Sequence, residues 1–350
     1  MRTNTANPLQ SEFPPMQKPA SKKTSAPKLN IYETVTARIL ASLKAGVVPW
    51  SKPWQGNSKG TAFPSNYRTG APYRGINVLL LWGSPYASNS WLTFKQAQEL
   101  GGTVRKGEKG TPIVFWKKLA KQTTEGAPAP VAPGSEDAEE RDRFLCRTYT
   151  VFNVEQCNGL ALAEPHIDRP VIDTDDLCES IVTGWEGRPT LHLDDEHEGR
   201  AFYRPSTDAV HLPARNRFVD TPHYYATLFH ELIHSTGHES RLARTFGAHF
   251  GDDQYSKEEL IAETGAAFLA TIAGISSEDT ERNTAAYIQN WIKALEGDSR
   301  LMITAAAAAQ KAVDCILGTR FEDEQSERTG DMAKDAEVAD SLAEARTQAA

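Results

Sequence analysis

The chain has 350 residues, 38 Lys or Arg against 46 Asp or Glu, and a net charge of -8, which leaves room for two cored domains. It contains no apolar stretch of membrane-spanning length and no apolar core of a secretory signal, and its four cysteines (Cys146, Cys157, Cys178, Cys315) form no CxxC pair. These features predict a cytoplasmic protein with reduced thiols and no membrane partner. The charge is divided: residues 28 to 120 carry 13 Lys or Arg against 3 acidic residues, and residues 121 to 350 carry 21 against 42. A basic front half with five of the seven tryptophans therefore precedes an acidic back half, and two different tasks are implied.

Residues 1–27 are rich in Pro, Ser, Thr and Lys and predict a disordered tail. From Ile31, the positions Val35, Ile39, Leu40 and Leu43 mark an amphipathic helix ended by Gly46. Pro49, Trp50, Pro53 and Trp54 lie in a turn-forming stretch, and the apolar run Asn77 to Trp82 predicts a strand. Thr93 and Gln96 have capping-box spacing for a short helix closed by Gly101-Gly102. Val104 to Gly110 and Pro112 to Trp116 predict a hairpin with a basic turn; after an extended loop at 120–142, Arg147 to Val154 resumes strand alternation and can pair with it. A domain boundary is expected near 160 to 172.

In this front half, aromatic side chains interleave with cations as sequence-tolerant binding of single-stranded DNA requires, aromatic faces stacking on bases while Lys and Arg track phosphates. The candidates are Trp50, Trp54, Tyr67, Arg68, Tyr73, Arg74, Asn77, Arg105, Lys106 and Lys109. A single tryptophan is more often a core residue, so the regional basicity carries this reading.

Further along, Arg200 to Arg204 and Asp208 to Leu212 alternate like two strands joined by a Pro-Ser-Thr turn; residues 208 to 212 are the candidate edge strand for an extended peptide, although an ordinary sheet strand is the more common meaning of such a run. Then comes His230-Glu231-Leu232-Ile233-His234, an HExxH motif behind an apolar lead-in and before Gly237 as a C-cap. On a helix this spacing puts two imidazoles one turn apart on one face, a two-nitrogen zinc site with Glu231 as built-in base. A tetrahedral zinc needs a third protein ligand. His238 does not supply the metzincin pattern, whose third histidine would fall at Ser240. Downstream, Leu260, Ile261, Thr264, Ala267 and Phe268 recur at helical spacing after Ser256 as N-cap, which places Glu259 and Glu263 on one face; Glu258 reads as a solvated carboxylate. Tyr255, His223 and His238 are candidate oxyanion donors. Two more helices are expected at about 280 to 296 and 300 to 317.

The Glu-x-x-Ala-Glu helix after HExxH resembles the gluzincin arrangement, which implies Glu259 as the metal ligand and Glu263 as the carboxylate that orients a ligand histidine; the two can be exchanged. More broadly, residues 30 to about 160 resemble the amino-terminal single-stranded-DNA-binding domain of ArdC-type antirestriction proteins of conjugative plasmids, also seen in plasmid TraC primases. The likeness rests on Pro49-Trp50 with Pro53-Trp54, Pro64-x-Asn66, Tyr73-Arg74-Gly75-Ile76-Asn77, Trp91-Leu92-Thr93 with Gln96, Val104-Arg105-Lys106-Gly107-Glu108 and Val151-Phe152-Asn153. Residues 200 to 317 are similar to the zincin-like domain of the same family, through HExxH with Thr236-Gly237-His238 and Arg241-Leu242, Glu259 to Glu263, and Tyr287 with Trp291.

The expectation is thus an α+β chain of two domains: an ssDNA-binding domain at 28–165 and a gluzincin-type metallopeptidase domain at 172–318, followed by an acidic tail at 319–350. The resemblance implies an antirestriction protein of a mobile element with one Zn2+, or another divalent transition metal, and an unidentified host protein as substrate or partner. The alternative is an ssDNA-binding protection protein whose metal domain is structural or an interaction module. A primase fragment is a third reading, for which no acidic metal cluster is evident.

Overall fold

The computed structural model describes residues 30–46, 48–50, 63–118, 144–160, 174–194, 199–246, 253–275 and 285–319. The tails expected at 1–27 and 319–350, the loop at 120–142, the boundary at 160 to 172 and Trp54 lie outside these residues, apart from positions 160 and 319.

Helix α1 (Ile31–Lys44) is opened by Asn30, whose side chain accepts from the Tyr32 amide, and buries Val35, Ile39 and Leu43 as the sequence spacing requires. Strand β1 (Ser65–Asn66) precedes helix α2 (Ile76–Trp82), which takes the place of the expected strand. All seven residues of α2 are buried and six of them are apolar; a run buried on every face carries no period that separates helix from strand. Next come β2 (Ser90–Leu92), α3 (Phe94–Glu99) with the Thr93/Gln96 capping box formed, β3 (Thr103–Val104), β4 (Thr111–Lys118), β5 (Phe144–Asn153) and β6 (Cys157–Asn158). The hairpin expected across the basic turn does not form. Strand β3 pairs with β6, while β4 pairs along its whole length with β5, from Thr111 opposite Val151 to Lys118 opposite Phe144. The main sheet runs β1-β2-β5-β4. Asn77 of α2 ties the helix to that sheet: its side-chain amide donates to the Val114 carbonyl and accepts from the Val114 amide, both at 2.8 Å.

The second half comprises α4 (Thr174–Thr183), β7 (Thr190–Leu193), β8 (Phe202–Arg204), β9 (Ala209–Leu212), α5 (Thr221–Ser235), α6 (Asp253–Ala273), α7 (Ala285–Gly297) and α8 (Leu301–Leu317). The sheet order is β7-β9-β8, so the strand expected at the edge is central: β7 pairs with it in parallel and β8 antiparallel, and its backbone is used on both sides. All four β9 residues are buried, which fits a central position. Helix α6 begins at Asp253, so Ser256 lies within its first turn rather than capping it.

One continuous apolar cluster crosses the two halves, from α1 and α2 to α5, α6, α7 and α8. Trp50 meets Trp291 edge to face at 5.1 Å, and Phe63, Trp82 and Phe268 form a mutual aromatic triangle with centroids 5.6 to 5.7 Å apart. Burial of each such ring contributes about 1.5–3 kcal/mol. Beside the cluster Arg74 forms an ion pair with Asp314 of α8, and the Gly75 amide donates to Gln310 at 3.2 Å. Helix α8 turns Ala305, Ala306, Ala309 and Ala312 inward. Gly265 sets the approach of α6 to α5, since a Cβ there would lie 2.7 to 3.1 Å from three side-chain carbons of the fully buried Ile233.

Candidate metal centre and basic face

Helix α5 starts where its sequence demands, with the Asp220 side chain accepting from the His223 amide and Pro222 in the first turn. Its last two turns carry His230, Glu231 and His234. The two imidazoles face one another with Nε2 atoms 3.1 Å apart. Glu259 of α6 comes within 3.6 Å of both: Oε2 to His230 Nε2 and Oε1 to His234 Nε2. The ligand atoms of His230, His234 and Glu259 all lie within 4.8 Å of one another.

Each histidine presents its other nitrogen to a second carboxylate. His230 Nδ1 is 3.7 Å from Glu263 Oε1, and His234 Nδ1 is 3.3 Å from Glu258 Oε1. Glu258 is therefore buried and engaged, not the solvated carboxylate its sequence context suggests. Arg244 holds it from the other side, through Nε at 3.0 Å and Nη2 at 2.6 Å. Neither Glu258 nor Arg244 stands out in the sequence. Glu258 is next to Glu259 and 24 residues beyond His234, but only the path of the loop after α5 shows that Arg244 returns to Glu258 and to the end of α5.

Gly237 follows the helix as expected, but its backbone is not left-handed. Its missing side chain is a matter of room: a Cβ would stand 2.6 Å from Phe246 Cζ and 3.2 Å from Arg244 Nη2. Among the candidate oxyanion donors, Tyr255 is beside the site and donates to Glu259. His223 is paired with Asp220 at 2.7 Å, and His238 with the Ser240 hydroxyl at 2.8 Å.

The electrostatics favour positive charge between the helices. Burial works against an imidazolium at His230, yet the Glu259 hydrogen bond and the fields of Glu263 and Glu231 outweigh it and carry its pKa up to about 10. Burial also pushes Glu259 upward, but His230 and His234 prevail and hold it below the usual carboxylate range. Glu263 is raised, by burial first and then by the charge of Glu259. Two imidazole nitrogens and one carboxylate, half-buried and converging, are the donor set that a zinc-like divalent cation takes, so these residues fit such an ion.

The aromatic and basic candidates divide. Trp50, Tyr73 and Asn77 are buried at 3, 6 and 8 % exposure, and packing claims them: Trp50 rests on Trp291, Tyr73 joins Trp91 and Val151 in a separate apolar cluster, and Asn77 pairs with β4. All three are thus engaged by packing within the chain. Arg74 is engaged by Asp314. Tyr67 is half-buried against Leu92 and Ala97. Arg68 is exposed and paired with Glu99 at 2.6 Å; Arg105 is exposed beside Glu108 and donates to the Glu155 carbonyl. Lys106 and Lys109 are exposed on the same turn. Among the described residues no helix is long and apolar enough to cross a membrane.

Residues 29–152 match a family described as the N-terminal domain of anti-restriction factor ArdC, and residues 191–308 match one described as zincin-like metallopeptidase. Two Escherichia coli proteins named DNA primase TraC are 41 % and 39 % identical over 85 % of the chain, which spans only 28 % and 20 % of their lengths. A Sinorhizobium fredii protein, y4eC, is 35 % identical over 88 % of the chain and 98 % of its own length. Crystal structures of the antirestriction protein ArdC from the R388 plasmid, in Mn(II)-bound and metal-free form, superpose with a TM-score of 0.65 at 35 % and 36 % identity, covering 83 % of this chain and 98 % of theirs.

Proposed function

Because the chain belongs to the ArdC antirestriction family, we propose that it protects incoming DNA of a mobile element from host restriction, binding single-stranded DNA and hydrolysing an amide bond in a host protein in the cytoplasm. The observation that carries the enzymatic half is the convergence of His230, His234 and Glu259 within 4.8 Å, with Glu231 between the two histidines and largely shielded from solvent. These three residues would hold one zinc ion, or another divalent transition metal. When bound, the cation lowers the pKa of water and polarises the scissile carbonyl. Glu231 is the general base: its carboxylate takes a proton from the attacking water and delivers it to the leaving amine. Glu263 and Glu258 keep the two imidazoles turned with Nε2 inward.

Lys106, Lys109 and Arg105 on the turn between β3 and β4, with Arg68 and Tyr67, are the surface that supports nucleic-acid binding in this reading. Sequence-tolerant contact to phosphates fits a basic turn without a groove-reading helix.

The test is substrate trapping with Glu231→Gln in recipient cells. The variant should retain zinc and capture a host protein that the wild type cleaves. Should wild type and variant leave the same host proteome and give equal protection, the centre is structural instead. One observation favours that second reading: Phe268, on the helix of Glu259, packs against Trp82 of the basic half, so an ion between α5 and α6 would also brace the shared core.

A further inference from the structure

We infer that Arg244 is a positioning residue of the metal centre, acting through Glu258 to fix the tautomer and ring orientation of His234. This rests on the reading of His230, His234 and Glu259 as cation ligands.

The Arg244 guanidinium is nearly buried and ties the end of α5 to α6. Nε and Nη2 form a two-pronged grip on the Glu258 carboxylate of α6 at 3.0 and 2.6 Å. Nη2 also donates to the Ile233 carbonyl at 2.8 Å, and Nη1 donates to the Thr236 hydroxyl at 2.6 Å, both at the end of α5. One side chain thus clamps the last turn of the HExxH helix to the helix bearing Glu259. The planar fork of an arginine suits this; an ammonium offers no such paired geometry.

The loop that delivers Arg244 is itself shaped for the purpose. Ala243 sits at φ +47°, a left-handed conformation unfavourable for a residue with a side chain, and it turns the backbone immediately before Arg244. The Arg244 amide then donates to the Gly237 carbonyl at 2.9 Å, and the Ala243 amide to the His238 carbonyl at 3.0 Å. A side chain at position 237 would collide with Phe246 and press on Arg244, so the glycine clears the path.

The consequence lies at His234. With Glu258 Oε1 held 3.3 Å from Nδ1, that nitrogen donates and carries the proton, which leaves the Nε2 lone pair aimed between His230 and Glu259. If Glu258 were free to swing, the proton could sit on Nε2, where it blocks a cation. His230 has its own partner in Glu263, so among the described residues the two histidines face separate carboxylates, and Arg244 grips the one beside His234.

Zinc affinity of the full chain would be measured against a competing chelator for wild type, Arg244→Gln, Arg244→Lys, Glu258→Gln and the Arg244→Gln/Glu258→Gln pair, with nitrogen-15 NMR of the metal-free chain to read the histidine tautomers. The expected result is a roughly 10- to 100-fold loss for each single glutamine variant, the range typical of groups that orient a ligand, and a double variant no worse than the weaker single. The lysine variant should fall near the glutamine variant. In the wild type His234 should be the Nδ1–H tautomer, and in Arg244→Gln a mixture. Unchanged affinity in both Arg244 variants, fully additive losses, or an Nε2–H tautomer in the wild type would each overturn the inference. If the wild type binds no zinc, the ligand assignment has failed instead. Should Arg244→Gln not fold, the lysine variant and the wild-type tautomer still decide.

Discussion

Trp82 and Phe268 meet edge to face with ring centroids 5.7 Å apart, and through them the helix α2 of the basic half rests on the helix that carries Glu259 and Glu263. Phe268 is fully buried, with Phe63 completing the triangle. Phe268→Ala should cost about 3–5 kcal/mol, the range for a large buried aromatic replaced by a cavity. Urea unfolding followed by tryptophan fluorescence and by circular dichroism should show the loss in one transition at a lower midpoint. Separate midpoints for the two probes would contradict a shared core.

Gly265→Ala is a case in which helix propensity and packing oppose one another. Alanine is favoured over glycine in a helix by about 1 kcal/mol, yet the added methyl would meet Ile233 side-chain carbons at 2.7 to 3.1 Å. Overpacking costs about 1–3 kcal/mol, so packing should win and the variant should unfold at lower denaturant. Because α5 and α6 must part slightly, zinc affinity should drop as well, although every ligand is intact. A more stable variant with unaltered zinc binding would show that Ile233 can move aside.

Glu259→Ala and Glu263→Ala separate the two carboxylates that spacing alone leaves interchangeable. Glu259 reaches both Nε2 atoms, whereas Glu263 reaches the far nitrogen of His230. Metal analysis after dialysis should find Glu259→Ala depleted and Glu263→Ala only weakened. The reverse order would exchange the roles.

Lys106→Ala/Lys109→Ala should weaken single-stranded DNA binding and lower the salt slope of log affinity by about 0.7 for each phosphate left without its cation. Trp50→Ala should act differently: the ring is buried against Trp291, so the loss should appear as about 3–5 kcal/mol of stability. Fluorescence anisotropy across a salt series, alongside unfolding, distinguishes them. A folded Trp50→Ala protein of native stability that fails to bind DNA would restore this ring to the interface.

The Asp208 carboxyl is held below the usual carboxylate range, chiefly by its hydrogen bonds from Arg241 and with help from the Tyr203 hydroxyl, against an upward push from burial. A depressed folded-state pKa gives stability that is present above the unfolded value, about 3.9, and lost as pH falls through the folded value. Wild-type urea midpoints should therefore decline from about pH 5 to about pH 3, and the decline should be shallower in Asp208→Asn. Parallel curves would remove Asp208 from the acid response.

The metal helices are legible in the sequence because HExxH and the Glu259 pattern are local: both depend on a single period of 3.6 along one helix, and the cap at Thr93 is likewise written next to the residues it serves. What is not legible depends on which chain segments meet. Trp50, Tyr73 and Asn77 have the residue types of a nucleic-acid surface, and no local pattern reveals that they pack against Trp291, Trp91 and Val114. The position of β9 within its sheet is set by β7, a four-residue strand too brief for its alternation to stand out. Glu258 owes its importance to Arg244, 14 residues before it and on another element.

The pairing of Arg74 with Asp314 and of Gly75 with Gln310 carries a thermodynamic consequence. A ligand that binds only the folded form adds RT ln(1 + [L]/Kd) to stability, and that increment spreads over whatever unfolds as one unit. With α8 fastened to α2 on one side and to α6 on the other, a cation taken up between the metal helices would raise the melting temperature of the basic half too. A chelator would then lower the melting temperature of a half of the molecule that it never touches.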